Sequence, residues 1–324
     1  MTGWATDPPR HAEHTRFPLQ LVYQAARMYY LEDATQADIA ARLSMSRATV
    51  SRLVAAARHS GLVQVDVLDP FRDETQALAG RLVAALGLRQ AQVVPAAHRA
   101  TLGTDLAPAI AAAVARMGLR PGDVLLIGSG RTTWALAQDA LPRLPGVRLA
   151  PTVGGQADPL PWFQSNEITR TAAASSGATP SFLFAEALPS VAMRASLDTD
   201  PSFRHIVDMW HRASGAIVGV GAPPAVRDAL ASGVPVDDDL VRDAAGDVSL
   251  NFFRRDGTPI AFDGAERMVR TPRETLAAIP HVVAAAVGVE KAPSVVGGVR
   301  AGLIGGLVTD VRTARAVLAA ADES

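Results

Sequence analysis

The chain has 324 residues, 48% of them hydrophobic and 19% charged, and its 31 basic and 32 acidic side chains leave a formal net charge of -1. That is enough apolar material for a large core, over a length that suits two domains better than one. Near neutrality excludes a global basic field for nucleic acid or membrane, so any DNA-binding surface has to be local. Without cysteine there are no disulfides or thiolate metal sites, and the seven histidines lack ligand spacing, so no metal, no cofactor and no oxidising compartment is expected.

Residues 1–16 are polar and proline-containing and read as a flexible leader. They carry no apolar signal segment, and no later apolar run of about 18 residues escapes interruption by charge, Gly or Pro. The expectation is a cytoplasmic protein with no membrane partner. From Pro18 onward Leu21, Val22, Ala25, Ala26, Met28 and Tyr29 recur at helical spacing. Thr35-Gln-Ala-Asp38 is a cap followed by an acid at the third position, opening a second helix with Ile39, Ala40 and Leu43 on one face. A turn at Ser44-Met45 leads to Ser46, the cap of a third helix that stops at Gly61.

In that third helix, SRATVSRLVAAARHSG, Val50, Leu53, Val54 and Ala57 share one arc, and Arg47, Ala48, Ser51, Arg52, Ala55 and Arg58 share the opposite one. One side is suited to a small core. The other offers arginines that fork onto guanine edges or phosphates, a hydroxyl, and alanines small enough to admit the helix to a major groove. Ser46, Arg47, Ala48, Ser51, Arg52 and Arg58 are the candidate DNA-binding residues of this helix-turn-helix pattern. An ordinary helical hairpin with a solvated arginine face fits the same periodicity. Local charge does not separate the two, because seven arginines through Asp69 meet seven carboxylates. The stretch LVQVDVLD, Leu62 to Asp69, alternates with the strand period and predicts a short wing.

Composition changes at Asp69-Pro70, which divides a DNA-binding domain at 17–69 from a larger domain at 70–324. Helices over Glu74 to Leu86 and Thr104 to Met117 alternate with strands at Ala91 to Val94 and Asp123 to Ile127. Further strands are expected at Val147 to Val153, Ala216 to Val220, Val282 to Val287 and Gly305 to Val308. Short Val/Ile/Leu/Ala runs separated by helices predict an α/β fold with a mostly parallel sheet covered on both faces. Ligands on such sheets bind at the strand C-terminal ends.

Gly128-Ser129-Gly130-Arg131-Thr132-Thr133 stands between a buried strand and a helix. Its glycines allow a tight turn, the helix start adds backbone donors and a dipole, and Arg131 with the hydroxyls adds more, which suits phosphate or carboxylate. The segment lacks the lysine of a phosphate loop and the third glycine of a dinucleotide fingerprint. Tight packing alone would also select the glycines. Gly154-Gly155 follows another strand and is a candidate for the same mouth. Asp247, in AAGDVSLNFF, and Lys291, in GVEKAPS, are polar candidates at strand ends: a carboxylate accepts hydroxyl hydrogen bonds and an ammonium donates three, a combination suited to a polyol bearing an anion. Asp247 would equally well cap a turn. Lys291 is the chain's only lysine. Elsewhere arginine serves, so the exception points to a position needing a compact, tunable charge rather than a planar fork.

These segments together resemble the SorC, sugar-binding branch of the DeoR-type bacterial transcriptional regulators. The resemblance runs from about Leu19 to Leu318 and is carried by QADIAARLSMSRATVSRLVAAARHSGLVQV, IGSGRTTWALA, SNEITR, GDVSLNFFRRDGTPI and IPHVVAAAVGVEKAPSVVGGVRAGLIGGLVTD. It implies an N-terminal helix-turn-helix and an effector domain with the fold of sugar-phosphate isomerases and deaminases. It further implies homo-oligomers, dimeric or tetrameric, that bind operator DNA and respond to a sugar, often phosphorylated. Carried over by motif, Ser129 to Thr133 are the anion loop, Asp247 the hydroxyl acceptor and Lys291 the pocket ammonium. Relatives often carry GGEEK where this chain has VGVEK, and FLFAEALPSV departs from a commoner proline-rich version; both bear on which effector is bound. An isomerase or deaminase on the same fold is the alternative, but it needs a positioned general base, and no carboxylate and histidine constellation stands near the anion loop. A constitutive DNA-binding protein with a decayed pocket is a third reading.

Overall fold

The computed structural model describes residues 17–63, 72–227 and 239–322. The leader, the Asp69-Pro70 boundary and all but the first two residues of the expected wing lie outside the described residues. Contacts divide the chain into two units, one holding the first described stretch and the other the remaining two.

The smaller unit is three helices, α1 (Leu19–Leu31), α2 (Gln36–Arg42) and α3 (Arg47–His59). Thr35 caps α2 through the Asp38 amide, and the Asp38 carboxylate returns to the Thr35 amide, a reciprocal capping box. Ser46 caps α3 through the Thr49 amide at 3.1 Å. Val22 and Ala25 of α1, Ile39 of α2 and Val50, Leu53 and Ala57 of α3 are fully enclosed in one small core. At α3, Arg47, Ala48, Ser51, Arg52 and Arg58 are exposed, as the helical arc requires.

The larger unit runs α4 (Arg72–Leu86), β1 (Gln90–Val94), α5 (Leu102–Ala115), β2 (Val124–Ile127), α6 (Arg131–Asp139), β3 (Arg148–Pro151), α7 (Ser165–Ser176) and β4 (Thr179–Pro180). It continues with α8 (Val191–Leu197), α9 (Pro201–His211), β5 (Ala213–Gly219), α10 (Asp239–Arg242), β6 (Gly246–Val248) and β7 (Asn251–Phe253). Last come α11 (Arg273–Ala278), β8 (Val282–Ala285), α12 (Ala292–Arg300), β9 (Gly306–Asp310) and α13 (Val311–Asp322). Seven strands form one sheet in the order β1-β9-β8-β5-β2-β3-β4, every pairing parallel. Alternate residues feed opposite faces, which is the strand period at work. Leu126, Ala216, Val218 and Ala284 pack beneath α4, α9, α12 and α13, whereas Leu125, Ile127, Ile217 and Val283 pack beneath α5, α6 and α7.

The chain winds outward from β2 through β3 to β4, then returns to β2's other side as β5. Between β2 and β5 the winding reverses, and loops leaving their C-terminal ends diverge. Two expected features differ. The strand read as Val147 to Val153 ends at Pro151, because Thr152 and Val153 leave the sheet to pair with Arg270 and Thr271. Asp247 does not stand at the end of a sheet strand. It is the middle residue of β6, in a separate antiparallel ribbon with β7 that the sequence reading missed.

Candidate functional site

The turn after β2 is shaped by its glycines. Gly128 donates to the Ile217 carbonyl at 2.9 Å, and a side chain there would come within 3.2 Å of the Val218 backbone. Gly130 takes φ +118°, a conformation that only glycine adopts without strain. It ends the turn as the cap of α6, with Thr133 Oγ1 donating to its carbonyl at 2.9 Å. The first-turn amides of α6 have no acceptors within the helix, so this end carries spare donors and the positive end of the helix dipole. Thr132 and Thr133 are buried and Arg131 is exposed, its guanidinium lying 5.3 Å from the centroid of the Trp162 indole.

Lys291 enters from the other side of the switch point. It closes a 3-10 turn, Val289–Lys291, between β8 and α12, and its Nζ donates to Thr132 Oγ1 at 3.4 Å. A pair 159 residues apart is thereby joined at the mouth of the sheet. Burial pushes the ammonium from 10.5 down to about 8; Glu290 opposes that shift, and Arg227, Arg131 and Arg99 add to it. Burial is the main cause, so an anion placed beside Nζ would restore the charged form.

Asp247 is 6% exposed and bonded within the chain through both carboxylate oxygens. Its Oδ1 accepts from Arg227 Nη2 at 2.5 Å and its Oδ2 accepts from the Leu250 amide at 2.9 Å. The second bond stabilises a turn in which Ser249 and Leu250 both hold positive φ, at 50° and 60°. Asn251 Nδ2 donates to the Val248 and Thr271 carbonyls, and Arg270 to the Leu250 carbonyl. Burial lowers the Arg270 pKa, with Asp247 and Glu274 opposing. Asp247 therefore organises its own ribbon and anchors Arg227, and each carboxylate oxygen retains one lone pair for a ligand hydroxyl. Arg227 was missed in the sequence, where a partner twenty residues away leaves no periodic signal.

Gly154 and Gly155 do not offer amides to a ligand. Their N–H groups are bonded to the Val269 and Ala185 carbonyls, and a Cβ on Gly154 would collide with the Glu186 backbone. Close approach of the 185–187 strap explains Gly154, whereas a Cβ on Gly155 would meet nothing closer than 3.9 Å. Two open clefts lie elsewhere: about 300 Å³ between Phe182, Phe184 and Phe203, and about 510 Å³ beside His211 and His281. Neither gathers the cations found at the β2/β5 edge. Among the described residues no cluster of three or more His, Asp or Glu side chains is placed to hold a metal ion, and no helix is long and apolar enough to cross a membrane.

Comparison with known proteins agrees with this division of labour. Residues 72–319 match the family described as "Putative sugar-binding domain", and residues 20–60 match "Sigma-70, region 4". A transcriptional regulator, LsrR, of Klebsiella pneumoniae is 31% identical, with 98% of each chain covered. The deoxyribonucleoside regulator of Bacillus subtilis is 29% identical, covering 92% of this chain and 97% of its own. The crystal structure of the full-length sorbitol operon regulator SorC from Klebsiella pneumoniae superposes with a TM-score of 0.74 at 27% identity, over 94% of this chain and all of that one.

Proposed function

Since the chain belongs to the SorC family of sugar-binding transcriptional regulators, we propose that α3 contacts operator DNA and that the β2/β5 edge holds a sugar or polyol carrying an anionic group such as phosphate. The observation that carries this reading is Lys291, the only lysine, half-buried against Thr132 where α6 begins, with its charge felt by Arg227, Arg131 and Arg99. A phosphate there would gain the α6 amides, the ammonium and the arginines together, each interaction strengthened by exclusion from water. Thr132 and Thr133 orient the loop, and Asp247 accepts from a hydroxyl once Arg227 is held. Gly154 keeps the 185–187 strap close, and with Gly155 it shapes the wall of the pocket.

On the DNA side, Ser46 starts α3 and Arg47, Ala48, Ser51 and Arg52 face the major groove, with Arg58 nearer the phosphates. Two heads of a dimer or tetramer would read half-sites separated by one helical turn or a multiple. Exposed Phe184, Val191 and Met193 on the effector domain supply apolar surface for such assembly. The domain limits follow the sequence: a leader at 1–16, the DNA-binding head at 17–69, the effector domain from 70, all in the cytoplasm. The relatives are regulators, so the isomerase or deaminase alternative is set aside.

Effector and operator must be linked reciprocally: whatever factor the effector applies to DNA affinity, DNA applies to effector affinity. The test is thermal unfolding against sugars, polyols and their phosphates, followed by operator release with any responder. A ligand at about 100 times its Kd adds roughly 2.7 kcal/mol, a rise of a few degrees. Selective response to a phosphorylated member is expected. Silence across the panel, or a response indifferent to Lys291→Met, overturns the reading.

A further inference from the structure

The loop between β3 and α7 leaves two polar side-chain atoms without work. β3 neighbours β2 in the sheet, so this loop emerges beside the anion turn. It is tied there, because Gly130 donates to the Trp162 carbonyl at 2.8 Å and Arg131 lies over the Trp162 ring. Its own backbone is well engaged. Gln164 Nε2 donates to the Gln156 carbonyl at 2.9 Å and the Asp158 carbonyl at 2.5 Å, the Gln156 amide donates to the Phe163 carbonyl at 3.3 Å, and Ser165 Oγ donates to the Gly154 carbonyl at 3.1 Å. Among the described residues, however, Trp162 Nε1 and Gln156 Oε1 are shut away from solvent and have no hydrogen-bond partner. Such groups are uncommon in folded proteins because each forfeits its hydration. Finding a donor and an acceptor in that state on one seven-residue stretch beside a cationic site calls for a ligand that completes both.

The two atoms also specify the chemistry. A phosphate dianion has only acceptors and cannot satisfy Gln156 Oε1. A hydroxyl accepts from an indole N–H and donates to an amide oxygen, and adjacent hydroxyls of a polyol do both at once. We propose that Trp162 and Gln156 form a hydroxyl-reading arm of the effector pocket, distinct from the cations that hold the anion, and that the ligand presents a polyhydroxylated chain or ring to this loop. The inference rests on the effector-pocket reading above. It adds Trp162 and Gln156 as the residues that set which sugar is accepted. Trp162 has a second duty here, since its ring braces the Arg131 guanidinium and couples the arm to the anion turn.

Calorimetric titration of the full chain with three probes, D-glucitol 6-phosphate, 2-deoxyribose 5-phosphate and inorganic phosphate, separates the two halves of the site. Trp162→Phe keeps an aromatic ring for Arg131 and removes the N–H with the smaller ring of the indole; Gln156→Leu deletes the amide, nearly preserves side-chain size and leaves the backbone bonds. Each is expected to weaken whichever sugar phosphate wild type prefers by about tenfold, ~1.4 kcal/mol, and to leave inorganic phosphate unchanged. Unfolding of the unliganded Gln156→Leu protein should occur at the same or a higher temperature, because a buried orphan acceptor has been removed at nearly constant side-chain size. Equal loss for sugar phosphate and inorganic phosphate, or a lowered unfolding temperature, would make the role structural and overturn the proposal. So would unchanged sugar-phosphate binding in both variants. If wild type takes inorganic phosphate but neither sugar phosphate, the hydroxyl arm fails while the anion site stands; if it takes none of the three, the pocket reading itself falls.

Discussion

The DNA-binding head and the effector domain use the same side chain in opposite ways. In α3, Arg47 and Arg58 are exposed and, among the described residues, hold no partner, while Arg52 reaches only the Ala48 carbonyl of its own helix. At the C-terminal ends of the central strands Arg227 is largely enclosed beside Asp247, and Lys291 is half-buried against Thr132. Exposed cations remain hydrated, cost little, and act on a polyanion by releasing its counterions. Buried cations have already lost hydration and need a geometrically fixed partner, so their removal is felt by the fold as well as by the ligand. One region recognises by field, the other by fit.

The contrast is broken most severely at Asp247. Asp247→Ala strands the Arg227 guanidinium and the Leu250 amide, and the expected loss is about 3–5 kcal/mol of effector-domain stability, read by urea unfolding. The double variant with Arg227→Met should recover much of that, because no buried charge is then left alone. A carboxylate that served only ligand hydroxyls would show no stability loss at all.

That expectation also marks what the sequence conceals. The head was legible almost to the residue, because caps at Thr35 and Ser46 and the buried set Val50, Leu53, Val54 and Ala57 are relations within four positions. Strand–helix alternation was legible for the same reason. The β6–β7 ribbon was not, since its turn uses Ser249 and Leu250 at positive φ with no glycine or asparagine to announce it. Nor was the meeting of Lys291 with Thr132 or of Asp247 with Arg227, which depends on strand order. At Gly154 close backbone packing and ligand approach select the same residue, so the sequence alone does not separate them.

Smaller in size, and sharper in kind, is the pH behaviour of Lys291. With its pKa near 8 in the free folded protein, an anionic effector that raises that value binds with protonation complete below pH 8 and must recruit a proton above it. Affinity should therefore fall as pH rises past 8, by up to about tenfold per unit until the bound-state pKa is passed. Lys291→Met should bind roughly 100-fold more weakly at pH 7, as the loss of a charged hydrogen bond implies, and show none of this dependence in calorimetry. The unliganded fold gives an independent check. Its lysine is depressed below the unfolded value of 10.5, so the unfolded chain holds more protons between about 8 and 10.5 and stability should rise across that window, again only in wild type.

The smallest effects belong to the head. Arg58→Ala should weaken binding evenly across operator sequences and reduce the slope of log affinity against log salt by about one, with stability unchanged. Arg47→Ala should cost about 1–3 kcal/mol at selected base pairs only, measured by titrating single-substitution operators. Equal losses at every sequence for both variants would erase the distinction between field and fit within α3.

The glycines at the seam between the ribbon and α12 have a consequence for how such regulators diversify. A methyl on Gly297 would come within 2.8 Å of the Arg254 carbonyl, one on Gly298 within 2.6 Å of Ile304, and one on Gly246 within 2.5 Å of both Ser294 and the Gly221 carbonyl. Three backbones meet there with no slack, so the elements bearing Asp247 and Lys291 move as one piece and tolerate almost no exploratory mutation. The 156–164 loop lies outside that joint, so if it reads the ligand's hydroxyls its side chains can change effector preference without disturbing the seam. Lineages of this architecture should accordingly keep a frozen joint and a drifting palate.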